Sequence, residues 1–398
     1  MKTNPLACLC LALFSFCSLT SLRAETGELI AVFVEPTGCA IETMGGYRIA
    51  IGSENDSKIE IGELSDLKTS KFQPAHVLNY DPQKQNNHWT LNRQPNQLKS
   101  ECKPGLASEA LSLNKMLIYQ RVFGDKNHPS TWIETDGVTV CDLGTNRIAD
   151  VLKTNTMTCD VIVATGCPDA DDDSLNLLNA QMKPRFILLA EDNETVADDK
   201  VTKITDHNFI AVAGRAKNDA DKSVTQWIKI SDQPWKMTNT ELSGLFDRKE
   251  ASSASSRAVF APLSAGQINF VPGDGSHTPR WNTEHMMGRE LLFFSQIYHS
   301  IDPEIPVMNL NPKQMPKDYV AAHSDWSGQE EALLTLRVEA FSRRFAYLLK
   351  DLPLDKKTKG SKMWSPRGLL KQMERHYKQH TENVKKKMEL ENWPKTVP

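Results

Sequence analysis

The sequence predicts an α+β protein of two regions, a β-rich sheet domain followed by a four-helix bundle. Three observations carry this. Up to Trp235 the apolar residues come in short Val- and Ile-rich runs of strand length, separated by turn residues. After Trp235 they recur at helical spacing over stretches of about twenty residues. Loops bearing Pro and Gly, such as "VPGDGSHTPR" and "IDPEIPVMNLNPKQMP", separate those stretches. A chain of 398 residues with 39% hydrophobic content suits two domains. A formal charge of −3 gives no footing to a nucleic-acid binder.

The first element is expected to be a removable leader. Met1 and Lys2 precede the apolar run "PLACLCLALFSFCSL" and the small-residue exit "TSLRA". That is the layout of a secretory leader over residues 1–24, with cleavage expected after Ala24 and a periplasmic or secreted product. None of Cys8, Cys10 or Cys17 follows a lipobox, so a soluble exported protein is expected rather than a lipoprotein. No later segment approaches the roughly 20 apolar residues of a membrane helix. The cysteines left after cleavage are Cys39, Cys102, Cys141, Cys159 and Cys167. An odd set without a CxxC or zinc-ribbon spacing reads as structural.

The sheet domain is expected over 25–235. Its strands are "ELIAVFVE", "GCAIET", "YRIAIGS", "MLIYQRVF", "GVTVCDLG", "CDVIVATG", "RFILLAE", "NFIAVAG" and "TQWIKIS", and its few helices are "RIADVLKT" and Ser174 to Met182. The helical domain is expected over 236–393, with helices from Thr238 to about Pro262, Trp281 to Ile301, Gly328 to Leu352 and Ser365 to Glu391. "EASSASSR" reads as a break or a Ser/Ala-rich turn in the first of them. The acidic run Asp169 to Asp173 reads as a solvated loop with a helix N-cap at Asp173, in preference to a calcium site.

In the last helix, Leu369, Met373, His376, His380 and Val384 follow at steps of three or four and share one face. Lys371, Arg375, Lys378 and Lys385 to Lys387 are expected on other faces. Two imidazoles one turn apart on an apolar face cost free energy unless each finds a partner, and a divalent metal satisfies both. His285 in "RWNTEHMMGRELLFF" is the leading third ligand; His277, His299 and His323 are weaker ones. The competing reading is three buried, hydrogen-bonded histidines without metal.

The run "AVFAPLSAGQINFVPGDGSHTPRWNTEHMMGRELLFFSQIYH" resembles the DinB-like (DinB/YfiT) superfamily, whose second helix carries the first metal histidine after a Pro- and Trp-containing loop. "LLKQMERHYKQHTENV" is similar to that family's last helix with its HxxxH pair. The resemblance implies a four-helix bundle that holds Zn, Ni or Fe through His285, His376 and His380 with open positions for water or substrate. Glu284, Arg289, Glu290 and Glu374 lie beside these ligands in the chain and are candidates to orient them or to bind substrate.

The first region also has a resemblance. "LIAVFVEPTGCAIETMGGYRIAIGS", "AHVLNYDPQKQNNHWTL", "WIETDGVTVCDLGTNR" and "CDVIVATGCPDADDDSLNLLNAQMKPRFILLAED" look like the strand sequence of a metallo-β-lactamase-type domain, which implies an αββα sandwich. The departures are at the metal positions. Where that family has HxHxDH, this chain has Gln83-Lys84-Gln85-Asn86-Asn87-His88. Gly144-Thr145 replaces Gly-Asp, with Asp142 displaced, and Ala190-Glu191-Asp192 stands where a histidine is expected. Amides are poor zinc ligands, so a degenerate, metal-free version of the fold is expected. An alignment through His76 and Asp81 also lacks the spacing.

The expected function is therefore an exported metal-binding protein acting on a small molecule as a metal-dependent hydrolase or thiol transferase, a nearby Glu moving the proton. The alternative is a non-catalytic ligand-binding or interaction module.

Overall fold

The computed structural model describes residues 29–36, 38–52, 58–66, 71–79, 81, 83, 86–92, 101–104, 115–122, 129–154, 157–214, 224–311 and 319–395. The segment 1–24 expected as a leader, with its three cysteines and the expected cleavage at Ala24, lies outside them, as does the side chain of Cys102.

The chain is mixed α+β, with a sheet-rich first region and a helical second one. The strands are β1 Leu29–Glu35, β2 Gly38–Thr43, β3 Tyr47–Gly52, β4 Ile59–Asp66, β5 Lys71–Leu78, β6 Asn86–Asn92, β7 Glu101–Pro104, β8 Lys115–Val122, β9 Pro129–Thr135, β10 Val138–Asp142, β11 Val161–Val163, β12 Phe186–Ala190, β13 Thr202–Ile204, β14 Phe209–Ala213 and β15 Gln226–Ile230. The helices are α1 Ile148–Thr154, α2 Asp172–Met182, α3 Thr240–Phe260, α4 Ala265–Ile268, α5 Pro279–His299, α6 Gly328–Arg344 and α7 Pro366–Met388. One sheet runs β14-β1-β2-β3-β4-β5 and the other β13-β15-β12-β11-β10-β9-β8-β6-β7. Pairing is antiparallel throughout the first; in the second it is parallel from β10 through β11 and β12 to β15 and β13.

Alternation along β1 decides how the layers stack, because successive side chains point to opposite faces. Ile30, Val32 and Val34 join Ile41, Ile49, Ile118 and Val140 in the core between the sheets. Leu29, Ala31 and Phe33 face the other way and enter one core with Phe246, Phe294, Phe341 and Phe345 of the helical region. The second sheet's outer face is covered by α1 and α2 through Ile148, Val151, Leu175 and Leu178. The order of layers is thus helix, sheet, sheet, helix, and the last layer comes from beyond Trp235. Phe209 sits at that junction, its ring 4.8 Å from Phe33, 5.2 Å from Tyr347 and 6.1 Å from Phe345. A hydrophobic core therefore crosses the expected boundary at 235/236.

Among the long helices, α3 and α5 each pack against both α6 and α7. The serines of "EASSASSR" do not break α3. Ser252, Ser253 and Ser256 are buried, and the Ser256 and Thr381 hydroxyls meet at 2.6 Å, so small side chains bring α3 and α7 close. Lys249 of α3 and Glu290 of α5 form a fully buried ion pair at 2.6 Å. The third long helix ends earlier than the periodicity predicts, giving way to a 3-10 turn at Phe345–Leu349 that aims Phe345 and Tyr347 at the first sheet. No helix of the described residues is long and apolar enough to cross a membrane.

In the acidic run the cap of α2 is Asp171, which accepts from the Ser174 amide at 2.9 Å, and not Asp173. Asp169 accepts from the Ile148 amide at 2.7 Å at the start of α1, so these carboxylates serve helix ends. Cys39, Cys141, Cys159 and Cys167 are buried free thiols.

Candidate metal centre

The helix geometry that places the histidines is set by local chemistry. Thr278 caps α5 by accepting from the Trp281 amide at 3.0 Å, and Pro279 occupies the first turn, where its missing N–H costs nothing. Trp281, His285, Arg289 and Phe293 then follow one another at steps of four along one stripe. Ser365 and Pro366 begin α7 in the same way, with the Gly368 amide donating to Ser365 Oγ at 3.1 Å. Leu369, Met373, His376, His380 and Val384 are all buried, as their shared face requires.

The two helices bring three imidazoles together. Ring centroids lie 4.4 Å apart for His376 and His380, 5.0 Å for His285 and His376, and 5.1 Å for His285 and His380. One ligand atom from each lies within 4.8 Å of the others, close enough to hold one metal ion. His376 and His380 are 9% and 8% exposed, and His285 is half-buried.

Asn282 orients one of these rings. Its Nδ2 donates to the Thr278 carbonyl at 2.8 Å, which turns Oδ1 toward His380 Nδ1 at 2.8 Å. His380 therefore carries its proton on Nδ1 and leaves the Nε2 lone pair for a ligand. The Nδ1 atoms of His285 and His376 are buried and, among the described residues, find no hydrogen-bond partner. Burial disfavours the imidazolium and pushes His285 and His380 down to about 3 and His376 to about 4. Three neutral imidazoles with orphaned or pinned second nitrogens are a donor set that fits a divalent cation of borderline softness.

Aromatic rings wall the site. Trp281 stacks on His285 at 4.5 Å and 12°, and His277 stacks on Trp281 at 3.8 Å. The weaker third-ligand candidates have other roles: His299 Nδ1 meets the Ile305 carbonyl at 2.8 Å, and His323 stacks on Trp326 at 3.8 Å.

The acidic neighbours predicted to orient the ligands are engaged elsewhere. Glu284 accepts from Asn311 Nδ2 at 2.9 Å and the Ala322 amide at 3.1 Å, which ties down the long loop after α5. Glu290 faces Lys249 in the helical core. Glu374 pairs with Lys378 at 2.6 Å and Arg248 at 3.6 Å on the outer groove between α3 and α7. Only Arg289 of the four acts on the imidazoles, its charge reaching His285 and His376. Lys387, expected on an outer face, is buried beside His380 with Nζ 3.3 Å from the Asn383 carbonyl. Asn282 was legible in principle as the residue three before His285, on the same turn; a search confined to carboxylates passes over it.

In the sheet region, Gln83 is exposed, Asn87 is buried with its Nδ2 3.4 Å from the Asp81 carbonyl, and His88 is half-buried against Tyr119 at 4.6 Å. Lys84 and Gln85 of that loop lie outside the described residues. Asp142 is buried, accepts from the Gly144 amide at 3.0 Å, and is raised to about 6 by burial. Among the described residues, the trio on α5 and α7 is the one group of three or more metal-type ligands. Comparison with protein-family profiles, with curated proteins and with solved structures returns no match, so the candidate site stands on its own geometry.

Proposed function

We propose that the chain is an exported metalloprotein in which His285, His376 and His380 hold one divalent cation, zinc, nickel or iron, within a DinB-like four-helix bundle formed by α3, α5, α6 and α7. The sheet region acts as a metallo-β-lactamase-type scaffold that has lost its ligands. The observation that carries this reading is the convergence of three neutral imidazoles from two helices in a largely buried place, one of them oriented by Asn282. A cation held there supplies Lewis acidity, which makes a water or thiol easier to deprotonate. The protein's own part is to fix the donors, to exclude water with Trp281 and His277, and to place the charge of Arg289 beside the site.

The reaction class that fits best is thiol transfer to a small molecule. Hydrolysis asks for a general base, and Glu284, Glu290 and Glu374 are all committed to other partners. A thiol loses its proton nearer neutral pH and needs no dedicated base. The same commitment of carboxylates favours, as a second reading, a metal-dependent binding module without turnover.

Metal analysis of the purified protein tests the site. One tightly held equivalent is expected, absent from the His376→Ala/His380→Ala variant and weakened in His285→Ala. A stable, folded, metal-free protein that takes up no added Zn(II), Ni(II) or Fe(II) overturns the proposal. Metal held equally well by His285→Ala rejects that residue as the third ligand.

A further inference from the structure

Charge is spread unevenly along the chain. The formal net charge is −3, yet residues 356–371 hold six cationic side chains and no carboxylate. Arg367 among them pairs with Asp355 and Glu241, and Lys350, just before the stretch, pairs with Asp206. Lys356, Lys357, Lys359 and Lys362 are exposed and make no ion pair among the described residues. Lys371 is exposed too, and its charge reaches Glu241 and Asp355.

The loop that carries the four lysines, between the 3-10 turn and α7, is fixed from its inner side. The Thr358 amide donates to the Trp364 carbonyl at 3.4 Å, and the Arg367 amide donates to the Leu354 carbonyl at 3.0 Å. Ser361 is buried, its Oγ accepting from the Trp364 amide at 2.9 Å. Gly360 lies so close to the end of α5 that a Cβ there would come 2.1 Å from the Gln296 carbonyl oxygen. Trp364 is half-buried, its ring centroid 5.9 Å from that of Phe293. The bundle thus occupies the inner side, and the loop presents outward four ammonium groups and Met363, which is 64% exposed.

Lysines elsewhere on α7 have partners along the helix, as Lys378 has Glu374 and Lys385 has Glu382. In the loop, like charges crowd together without a counter-charge, a self-repulsion that an anionic surface relieves. Lysines are point charges on long apolar stems, suited to a fluid array of headgroups. The arginine fork that grips one phosphate is held by carboxylates here, since Arg367 has two of them. The exposed Met363 adds apolar area that a bilayer interface takes up and a nucleic acid does not. We propose that the loop at 356–363 docks the protein on an anionic lipid surface, its lysines on the headgroups and Met363 at the acyl boundary. The inference is independent of the metal site.

The test mixes the purified protein with vesicles of phosphatidylcholine alone, and of phosphatidylcholine and phosphatidylglycerol in equal parts, and measures binding by co-sedimentation. Tighter binding to the mixed vesicles is expected at low ionic strength, with release at about 1 M salt, where the screening length falls to about 3 Å. Lys356→Gln/Lys357→Gln/Lys359→Gln/Lys362→Gln is expected to weaken binding about a hundredfold or more, on a scale of roughly fivefold per lysine. Met363→Ser is expected to weaken it by about three- to tenfold. Lys385→Gln/Lys386→Gln, at the far end of α7, is expected to bind like the unaltered protein. No binding, equal binding to both kinds of vesicle, unaltered binding in the fourfold variant, or equal losses in the fourfold and the Lys385→Gln/Lys386→Gln variants overturns the inference. Binding of duplex DNA or poly-glutamate at a concentration where the mixed vesicles stay unbound overturns it too, since the loop would then serve another polyanion. Where the fourfold variant does not fold, the two vesicle compositions decide on the unaltered protein.

Discussion

His88 on β6 and His376 on α7 begin alike and end differently. Each has a buried Nδ1 that finds no hydrogen-bond partner among the described residues. The ring of His88 meets Tyr119 at 4.6 Å, and the described residues bring it no pair of further metal-type ligands. The ring of His376 has His380 at 4.4 Å and His285 at 5.0 Å. An orphaned imidazole nitrogen is thus not itself a sign of a site; convergence is. The helical region supplies it because one helix presents two histidines a turn apart and a second helix packs alongside, which a single strand histidine flanked by amides does not.

The contrast can be broken most forcefully at the core that joins the two regions. Phe209→Ala removes the ring that touches Phe33, Phe345 and Tyr347, and a loss of about 3–5 kcal/mol is expected. Urea unfolding followed by tryptophan fluorescence and by helical circular dichroism is expected to show one transition moved to lower urea. Two separate transitions, with the helical one unmoved, would show that the regions fold independently.

A buried carboxylate sharpens the contrast next. Asp142 is raised to about 6 by burial, against the weaker opposing hydrogen bonds from the Gly144 amide and the Cys39 thiol. Between pH ~4 and ~6 the unfolded chain has released a proton that the folded chain still holds, so stability falls as pH rises through that window and stays low above it. Asp142→Asn lacks this dependence. Relative to wild type, it is expected to gain roughly 3 kcal/mol between pH 3.5 and pH 8 in denaturant melts. An unchanged pH profile would mean that Asp142 is ionised when folded, as a metal ligand would be.

At the imidazole trio, Asn282→Ala is expected to weaken metal binding by about ten- to hundredfold in a chelator competition, with Asn282→Asp restoring it. Equal affinity in all three proteins would deny Asn282 its orienting role. The smallest effect belongs to the sheet: His88→Ala is expected to leave metal stoichiometry unchanged. A lost equivalent there would reverse the contrast altogether.

Much of this was legible residue by residue. The expected strands from "ELIAVFVE" to "TQWIKIS" all appear, and the long helices begin within two residues of their predicted starts. The reason is periodicity, a local property that a burial pattern writes into neighbouring residues. Six further strands, β4, β5, β6, β7, β9 and β13, are not among those runs; β5, β7 and β13 are sheet edges, where one side has no strand to pair with. The imidazole pair was equally legible, since a four-residue step on a helix leaves no choice of face.

What the sequence determined by itself is whatever depends on one turn of helix or one strand: the inward face shared by His376 and His380, and the run of amides in "QKQNNH" that leaves His88 as its single imidazole. Only the tertiary structure decided which residues meet across long stretches of chain. It turned Glu284 to Asn311, Glu290 to Lys249 and Glu374 to Arg248; it set Asn282 behind His380 and buried Lys387 beside it. It also assigned the helices beyond Trp235 to cover the first sheet. A carboxylate's partner is chosen by how helices dock, and docking is settled by apolar surface collected from the whole chain, which no short stretch of sequence contains.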